Sequence, residues 1–386
     1  MQNRKVPELP SYMGIQLPGS GEMSNPVFTV SWQDRRSSSG DAERDFELGR
    51  KYCYGNGVPQ DYVRAAGFLR KAADKGSAGA CFYLGAMYCQ GEGTAQDYAE
   101  GAEWFRRASD LGDALANCNL GFLYLNGKGV PQDYSAAFGW YMKAAEQGLP
   151  QAETAVGIMY ALGWGVKRDA AEAVKWYMRA AEKGYAQAEC VMGQRYLTGD
   201  GVTADCEEAV RWFRKAAEQG YADAELCLGQ MYRDGRGVAK DEVMAAAWLR
   251  KAAEKGLPVA QVSLALMYWK GPYIAQDEAE AAEAAKWFLA AAEQGVPVAE
   301  GVISYMYHEG VGVKKDKEEA VRWLRKAAGH GDSASQYNLG MSFMEGDGVT
   351  KDVREGLVWI QKAAEQGCPP AVSYMNDIRG GKDQKS

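Results

Sequence analysis

Along most of the chain, apolar and small residues recur in two alternating runs punctuated by glycine. A stretch such as Ala80-Cys81-Phe82-Tyr83-Leu84-Gly85-Ala86-Met87-Tyr88 has apolar residues at i and i+4 and no breaker except one glycine, which predicts a helix, here helix A. A Gly-x-Gly turn follows. An aspartate then opens a second amphipathic run, helix B, in which Ala, Trp and an Ala-Ala pair share one face. The helix A glycine recurs at 49, 85, 121, 157, 193, 229 and 340, with Ala265 and Ser304 in the two remaining units. The steps are 36 residues, except one of 39 after Ala265. Nine units of this kind are predicted, because a period in this range marks helix pairs that bury their apolar faces only by stacking.

Each recurring position has a physical reason. The small residue in helix A permits close approach of a neighbouring helix, at about 1 kcal/mol of helix propensity. The first turn glycine ends helix A in a left-handed conformation. Asp61, Asp97, Asp133, Asp169, Asp205, Asp241, Asp277, Asp316 and Asp352 are the predicted N-caps of helix B. Six units add Glu at the third helical position, from Glu100 to Glu355, which predicts a reciprocal capping box. A Lys or Arg precedes the small pair in eight units and suits the negative end of the helix. The expected architecture is all-α: a right-handed α-solenoid superhelix of nine helix-turn-helix repeats over residues 41–379, ending in a capping helix. An irregular arm and linker precede it over 1–40, with Asn25 to Trp32 as a short strand or extended piece, and a polar, flexible tail follows over 380–386.

Composition narrows the function classes. The chain has 386 residues and 46 Gly, of which 33 fall in the helix A, turn and unit-end columns, so the excess reflects repeat geometry. Net charge is −7, which argues against a nucleic-acid or anionic-membrane partner. Apolar runs are far shorter than the roughly 18 residues a membrane span needs. The start, Met1 to Lys5, is followed by Val6-Pro7-Glu8-Leu9-Pro10 with no apolar signal core, and the chain is expected to be cytoplasmic. Eight cysteines show no CxxC and no metal-ligand spacing, so buried thiols are expected. The Gly-x-Gly turns follow helices and lack Gly-Lys-Ser/Thr, so they are not phosphate loops. His308 and His330 are the two histidines, and neither has a cysteine partner within reach. No enzyme activity, cofactor or metal is expected.

The pattern Ala80-x3-Leu84-Gly85-x2-Tyr88-x2-Gly91-x-Gly93, with Asp97, Ala102-x-Trp104, Ala108 and Gly112, resembles the Sel-1-like repeat, a relative of the tetratricopeptide repeat. The closing phrase Lys143 to Gly148 resembles the bacterial branch. The resemblance implies protein–protein interaction: an adaptor or scaffold binding a protein or peptide on a concave face lined by helices A. Its alternative is a dedicated inhibitor, such as a cytoplasmic immunity protein neutralising a secreted toxin. The chain is expected to be a monomer when free.

In each helix A, positions −3, +1 and +4 from the small residue lie on one side, away from the −1, 0, +3 core stripe. They give a mostly apolar stripe whose expected partner-binding residues are Phe46, Phe82, Phe122, Leu125, Ile158, Leu197, Leu226, Arg233, Trp269, Tyr305, His308, Tyr337, Met341 and Met344. The stripe is either a partner site or a seam buried between successive helices A. Trp164, inside the turn Gly163-Trp164-Gly165, is either a further anchor or a loop residue packed on its own repeat. The seventh unit departs most: its turn reads Gly271-Pro272-Tyr273-Ile274, and its helix B gains three residues.

Overall fold

The computed structural model describes residues 40–269 and 277–383, with side chains to residue 378. The expected arm over 1–39, the turn with Tyr273 and the end of the tail lie outside the described residues. Among the described residues there are nineteen α-helices and no strand, an all-α repeat fold. They fall into two compact units, one ending at Tyr221 and one starting at Ala222. None of the helices is long and apolar enough to cross a membrane.

The first unit contains α1 (Gly40–Tyr54), α2 (Tyr62–Asp74), α3 (Ala78–Gln90), α4 (Tyr98–Asp110), α5 (Ala114–Asn126), α6 (Tyr134–Glu146), α7 (Pro150–Leu162), α8 (Ala170–Glu182), α9 (Ala186–Thr198) and α10 (Cys206–Glu218). The second contains α11 (Ala222–Asp234), α12 (Glu242–Glu254), α13 (Pro258–Tyr268), α14 (Glu278–Glu293), α15 (Pro297–Glu309), α16 (Lys317–Gly329), α17 (Ser333–Glu345), α18 (Val353–Glu365) and α19 (Pro369–Asp383). Odd-numbered helices up to α17 are helices A and even-numbered ones are helices B. Within each unit every helix packs on the next.

All nine aspartates cap helix B, each accepting from the N–H of the second or third helical residue, as Asp97 does from Ala99 and Glu100. The other half of the capping box differs from expectation. In eight repeats the aspartate's own N–H is donated to the carbonyl of the aromatic residue near the end of helix A, as Asp97 to Tyr88 at 2.8 Å and Asp352 to Phe343 at 2.9 Å. The third-position glutamates are therefore released for other work. Glu100 and Glu355 accept from the indole N–H of Trp104 and Trp359, whereas Glu172, Glu208 and Glu319 pair with Lys175, Arg211 and Arg322.

The basic residues near the end of helix B also do something the sequence reading missed. Lys215 stands over the ring of Trp212 at 4.0 Å, Lys251 over Trp248 at 3.8 Å and Lys362 over Trp359 at 4.1 Å, and the same stacking recurs in eight repeats. Three residues of helical spacing bring the cation onto the ring it follows, at about 0.5–1 kcal/mol for an exposed pair.

Two glycine columns set the packing within and between repeats. A Cβ on the helix A glycine would strike the residue twenty positions on in helix B: Phe105 at 2.7 Å from Gly85, Tyr141 at 2.8 Å from Gly121. The second turn glycine instead faces the preceding repeat. Gly93 has φ of 68°, and a Cβ there would lie 2.5 Å from the Tyr62 backbone at the start of the preceding helix B. The seventh repeat, which lacks that glycine, also ends helix A differently: α13 stops at Tyr268 with Trp269 as an extended C-cap. Its helix B, α14, has the 16 residues the three-residue insertion requires.

The thiols sit in this core. Burial pushes the Cys53, Cys89 and Cys118 thiols up to about 12 and Cys81 to about 11. Because the folded pKa is raised, the favourable contribution of the neutral thiol is complete below the ordinary value of about 9 and is lost as pH rises toward 12. Iodoacetamide at pH 8.5 should label the half-exposed Cys206 well before Cys53, Cys89 and Cys118, read by peptide mass spectrometry, and unfolding should erase the difference. Equal rates in the folded protein would contradict this placement. Gly93→Ala should cost about 3–5 kcal/mol, combining left-handed strain with a backbone collision. Gly57→Ala, at the same turn position with φ of 75° and nothing within 4 Å, should cost only about 1–2 kcal/mol in urea unfolding.

Candidate functional site

In the first unit the predicted stripe is largely buried. Phe46, Phe82, Phe122, Leu125 and Leu197 are buried. Position −3 reaches toward the next helix A: Phe46 meets Tyr83 edge-on with centroids 5.4 Å apart, and a Cβ on Gly79 would lie 2.8 Å from its ring. Phe46 thus lies in the seam between successive helices A, and the burial of the others corrects their expected exposure. Ile158 is half-buried. Trp164 is half-buried and stacks on Tyr134 of the preceding repeat, with centroids 5.5 Å apart and planes 19° apart. It is packed on a neighbouring repeat rather than its own.

The second unit is more open. Leu226, Trp269 and Tyr337 are buried in its seam. Trp269 meets Phe288 at 6.5 Å and Tyr305 at 6.1 Å, both edge-on, so it supports the neighbouring tyrosine from beneath. The +1 positions of repeats seven to nine, Leu266, Tyr305 and Met341, are half-buried and make an apolar row. At the +4 positions, Arg233, His308 and Met344 are likewise half-buried. Arg233 binds Asp234 through two nitrogens at 2.8 and 3.2 Å. His308 faces two carboxylates, Nδ1 to Glu309 at 2.6 Å and Nε2 to Asp347 at 2.8 Å, and Asp347 also receives Lys317 at 2.7 Å. Those contacts tie α15 to the turn of the ninth repeat. In the preceding repeat, the side-chain carbonyl of Gln230 is buried and has no hydrogen-bond partner among the described residues.

One column escaped the sequence reading. Glu153, Glu189, Glu225 and Glu300 are buried near the start of their helices A. Each is met thirty residues later in its own repeat, by Lys183 at 2.8 Å, Gln219 at 2.7 Å, Lys255 at 2.6 Å and His330 at 2.9 Å. Burial raises the Glu189 carboxyl above the ordinary range, Lys215 and the neutral Gln219 opposing it. The recurrence of Glu with a partner at a fixed offset is visible in the sequence; its burial is not. These pairs clamp helix A to helix B and touch none of the open row. Among the described residues no group of three or more His, Cys, Asp or Glu could hold a metal ion.

The family profile for the Sel1 repeat matches nine successive segments: 45–77, 78–113, 114–149, 150–185, 186–221, 222–257, 258–296, 299–332 and 333–368. No curated protein matches the sequence. Among solved structures, a Sel1 repeat protein from Oxalobacter formigenes is 36% identical over 78% of this chain and 87% of its own, with a TM-score of 0.61. The protein c5321, a protective antigen present in uropathogenic Escherichia coli strains and displaying an SLR fold, is 34% identical over 88% of this chain and 80% of its own, with a TM-score of 0.45. Immunity protein Pa5087 from Pseudomonas aeruginosa is 18% identical over 57% of this chain and 84% of its own, with a TM-score of 0.39. The capped aspartates, the paired glycine columns and the nine matched segments describe the same unit, and the chain belongs to the Sel1 repeat family.

Proposed function

We propose that this protein is a non-enzymatic interaction scaffold whose second unit docks a partner protein or peptide on the helix A row formed by Leu266, Tyr305 and Met341. Sel1 repeat proteins generally mediate protein–protein interaction. The observation that carries the reading is the contrast between units: the stripe's expected residues are buried in the first except at Ile158, whereas Leu266, Tyr305 and Met341 follow one another half-buried in the second. Aromatic and Met side chains are favoured at interface cores, and Tyr305 stands over a buried Trp269 that fixes its position.

A non-enzymatic reading is supported by the chemistry of the core. The most buried thiols are held neutral, and each histidine is engaged with carboxylates. We place the protein in the cytoplasm, a compartment consistent with Cys53, Cys81, Cys89 and Cys118 being unlinked thiols. A toxin-neutralising role finds no residue on this surface that favours it over an adaptor role.

The test is capture of partners from the native host with wild type and with Tyr305→Ala/Met341→Ala, followed by mass spectrometry and affinity measurement on the recovered partner. The double variant should lose affinity at least tenfold with its melting temperature nearly unchanged. Trp269→Ala, by contrast, should cost about 3–5 kcal/mol of stability as a large-to-small core change. An unchanged set of captured proteins and unchanged affinity in the double variant would sink the assignment of this row.

A further inference from the structure

The basic residue that starts the last turn of several helices B reaches into the next repeat. Arg70 donates to the Tyr88 hydroxyl at 2.7 Å, Arg106 to Tyr124 at 3.0 Å and Arg250 to Tyr268 at 2.7 Å, each across eighteen residues. The acceptor is the aromatic residue near the end of helix A, which is tyrosine in eight of the nine repeats and Phe343 in the ninth. Arg325 occupies the eighteen-residue position before Phe343. Its guanidinium lies over the Phe343 ring, 5.1 Å from the centroid, and among the described residues it has no hydrogen-bond or ion-pair partner. Its neighbours are engaged: Arg322 pairs with Glu319 at 2.6 Å, and Lys326 stacks on Trp323 at 3.8 Å. One phenolic oxygen is missing, and one exposed arginine is left with no protein acceptor among the described residues.

The vacancy opens onto space. An open cleft of about 780 Å³ lies between α16 and the turn of the ninth repeat, lined by Arg325 and Arg322 together with Val321, Val349, Thr350 and, at one side, Glu318. We propose that Arg325 is the anchor of a second binding site in the same unit, one that takes a single carboxylate from a partner peptide. A guanidinium fork matches a carboxylate through two parallel hydrogen bonds, and stacking on a ring holds the fork in one plane before the ligand arrives. Val321 and Val349 offer apolar contact to the methylenes that carry a carboxylate, and Thr350 adds a hydroxyl. Because Arg322 on the same lining is already paired with Glu319, the Glu318 carboxylate leaves the cleft favouring a singly charged ligand over a dianionic phosphate. This site is built from helix B and turn residues and shares none of them with the Tyr305 row.

Fluorescence anisotropy with three labelled peptides tests the site: acetylated, C-amidated tetraglutamate; acetylated tetra-alanine with a free C-terminal carboxylate; and the same tetra-alanine amidated. At least one carboxylate peptide should bind wild type while the amidated alanine peptide does not, and which one binds identifies a side-chain or a chain-terminal carboxylate. Arg325→Gln should weaken that binding at least tenfold. Phe343→Tyr, which installs the residue the other eight repeats use and changes no charge, should weaken it at least fivefold by giving Arg325 its hydroxyl, with an equal or higher melting temperature. Absence of binding by either carboxylate peptide, or binding unaffected by Arg325→Gln, overturns the proposal. So does a loss in Arg325→Gln with none in Phe343→Tyr, which would mark general charge attraction.

Discussion

The side chain of the aspartate that opens each helix B accepts from that helix's first-turn amides, while its backbone N–H is donated to a carbonyl in the last turn of helix A. A single residue therefore satisfies the start of one helix and the end of another. The turn between them must then be short and must reverse direction within five or six residues. The first glycine ends helix A in the left-handed region, as Gly127 does with φ of 64°. In the first three repeats a glutamine completes the closure, Gln60, Gln96 and Gln132 each donating to a helix A carbonyl at 2.8 Å. A cap alone is worth about 1 kcal/mol. Its structural weight comes from fixing the angle at which helix B meets helix A, on which the packing of the ring below the helix A glycine depends.

That packing explains why glycine appears twice for unrelated reasons. In helix A it admits a large side chain from the same repeat, an aromatic ring or a Leu or Ile; in the turn it admits backbone from the repeat before. The first use holds a repeat together and the second holds neighbours together. Both are short-range, which is the basis of nearest-neighbour stability in repeat proteins. The buried Glu153, Glu225 and Glu300 with their partners at thirty residues belong to the first kind of contact, because both groups lie in one repeat. A buried carboxylate with its partner removed would be costly, so these pairs fix the orientation of helix A more than they add net stability.

The repeat itself was legible because its signals are local and recur nine times: caps, turn glycines and apolar spacing each constrain the backbone within a few residues. What the sequence hid was relational. The capping box failed at its second half because the aspartate N–H found a carbonyl nine residues back, a partner that no i, i+3 pattern reveals. The basic residue before the small pair read as a helix-end charge, but it is stacked on tryptophan three residues earlier. The stripe with Phe46, Phe82 and Phe122 reads as apolar in the sequence, and the structure buries it. Whether such a stripe is groove or seam depends on how closely successive helices A approach, and that distance is not a property of any one repeat. The half-open row of Leu266, Tyr305 and Met341 carries the same residue types as the closed one.

Departures from the repeat separate into those the structure absorbs and those it leaves open. Ser304 replaces a glycine that elsewhere faces the carbonyl sixteen residues ahead, and its hydroxyl donates to that carbonyl, Ala320, at 2.8 Å. Trp269 replaces a glycine-terminated helix end, and Phe288 and Tyr305 close around its ring. Both changes are compensated by neighbours within van der Waals or hydrogen-bond reach, so neither by itself marks a site. Phe343 differs in kind. Loss of its hydroxyl is not matched by any change at Arg325, which keeps the charge and donors its counterparts spend on tyrosine. An irregularity bears on binding where the adjoining residue has not adjusted to it and still reaches the surface, as Arg325 does.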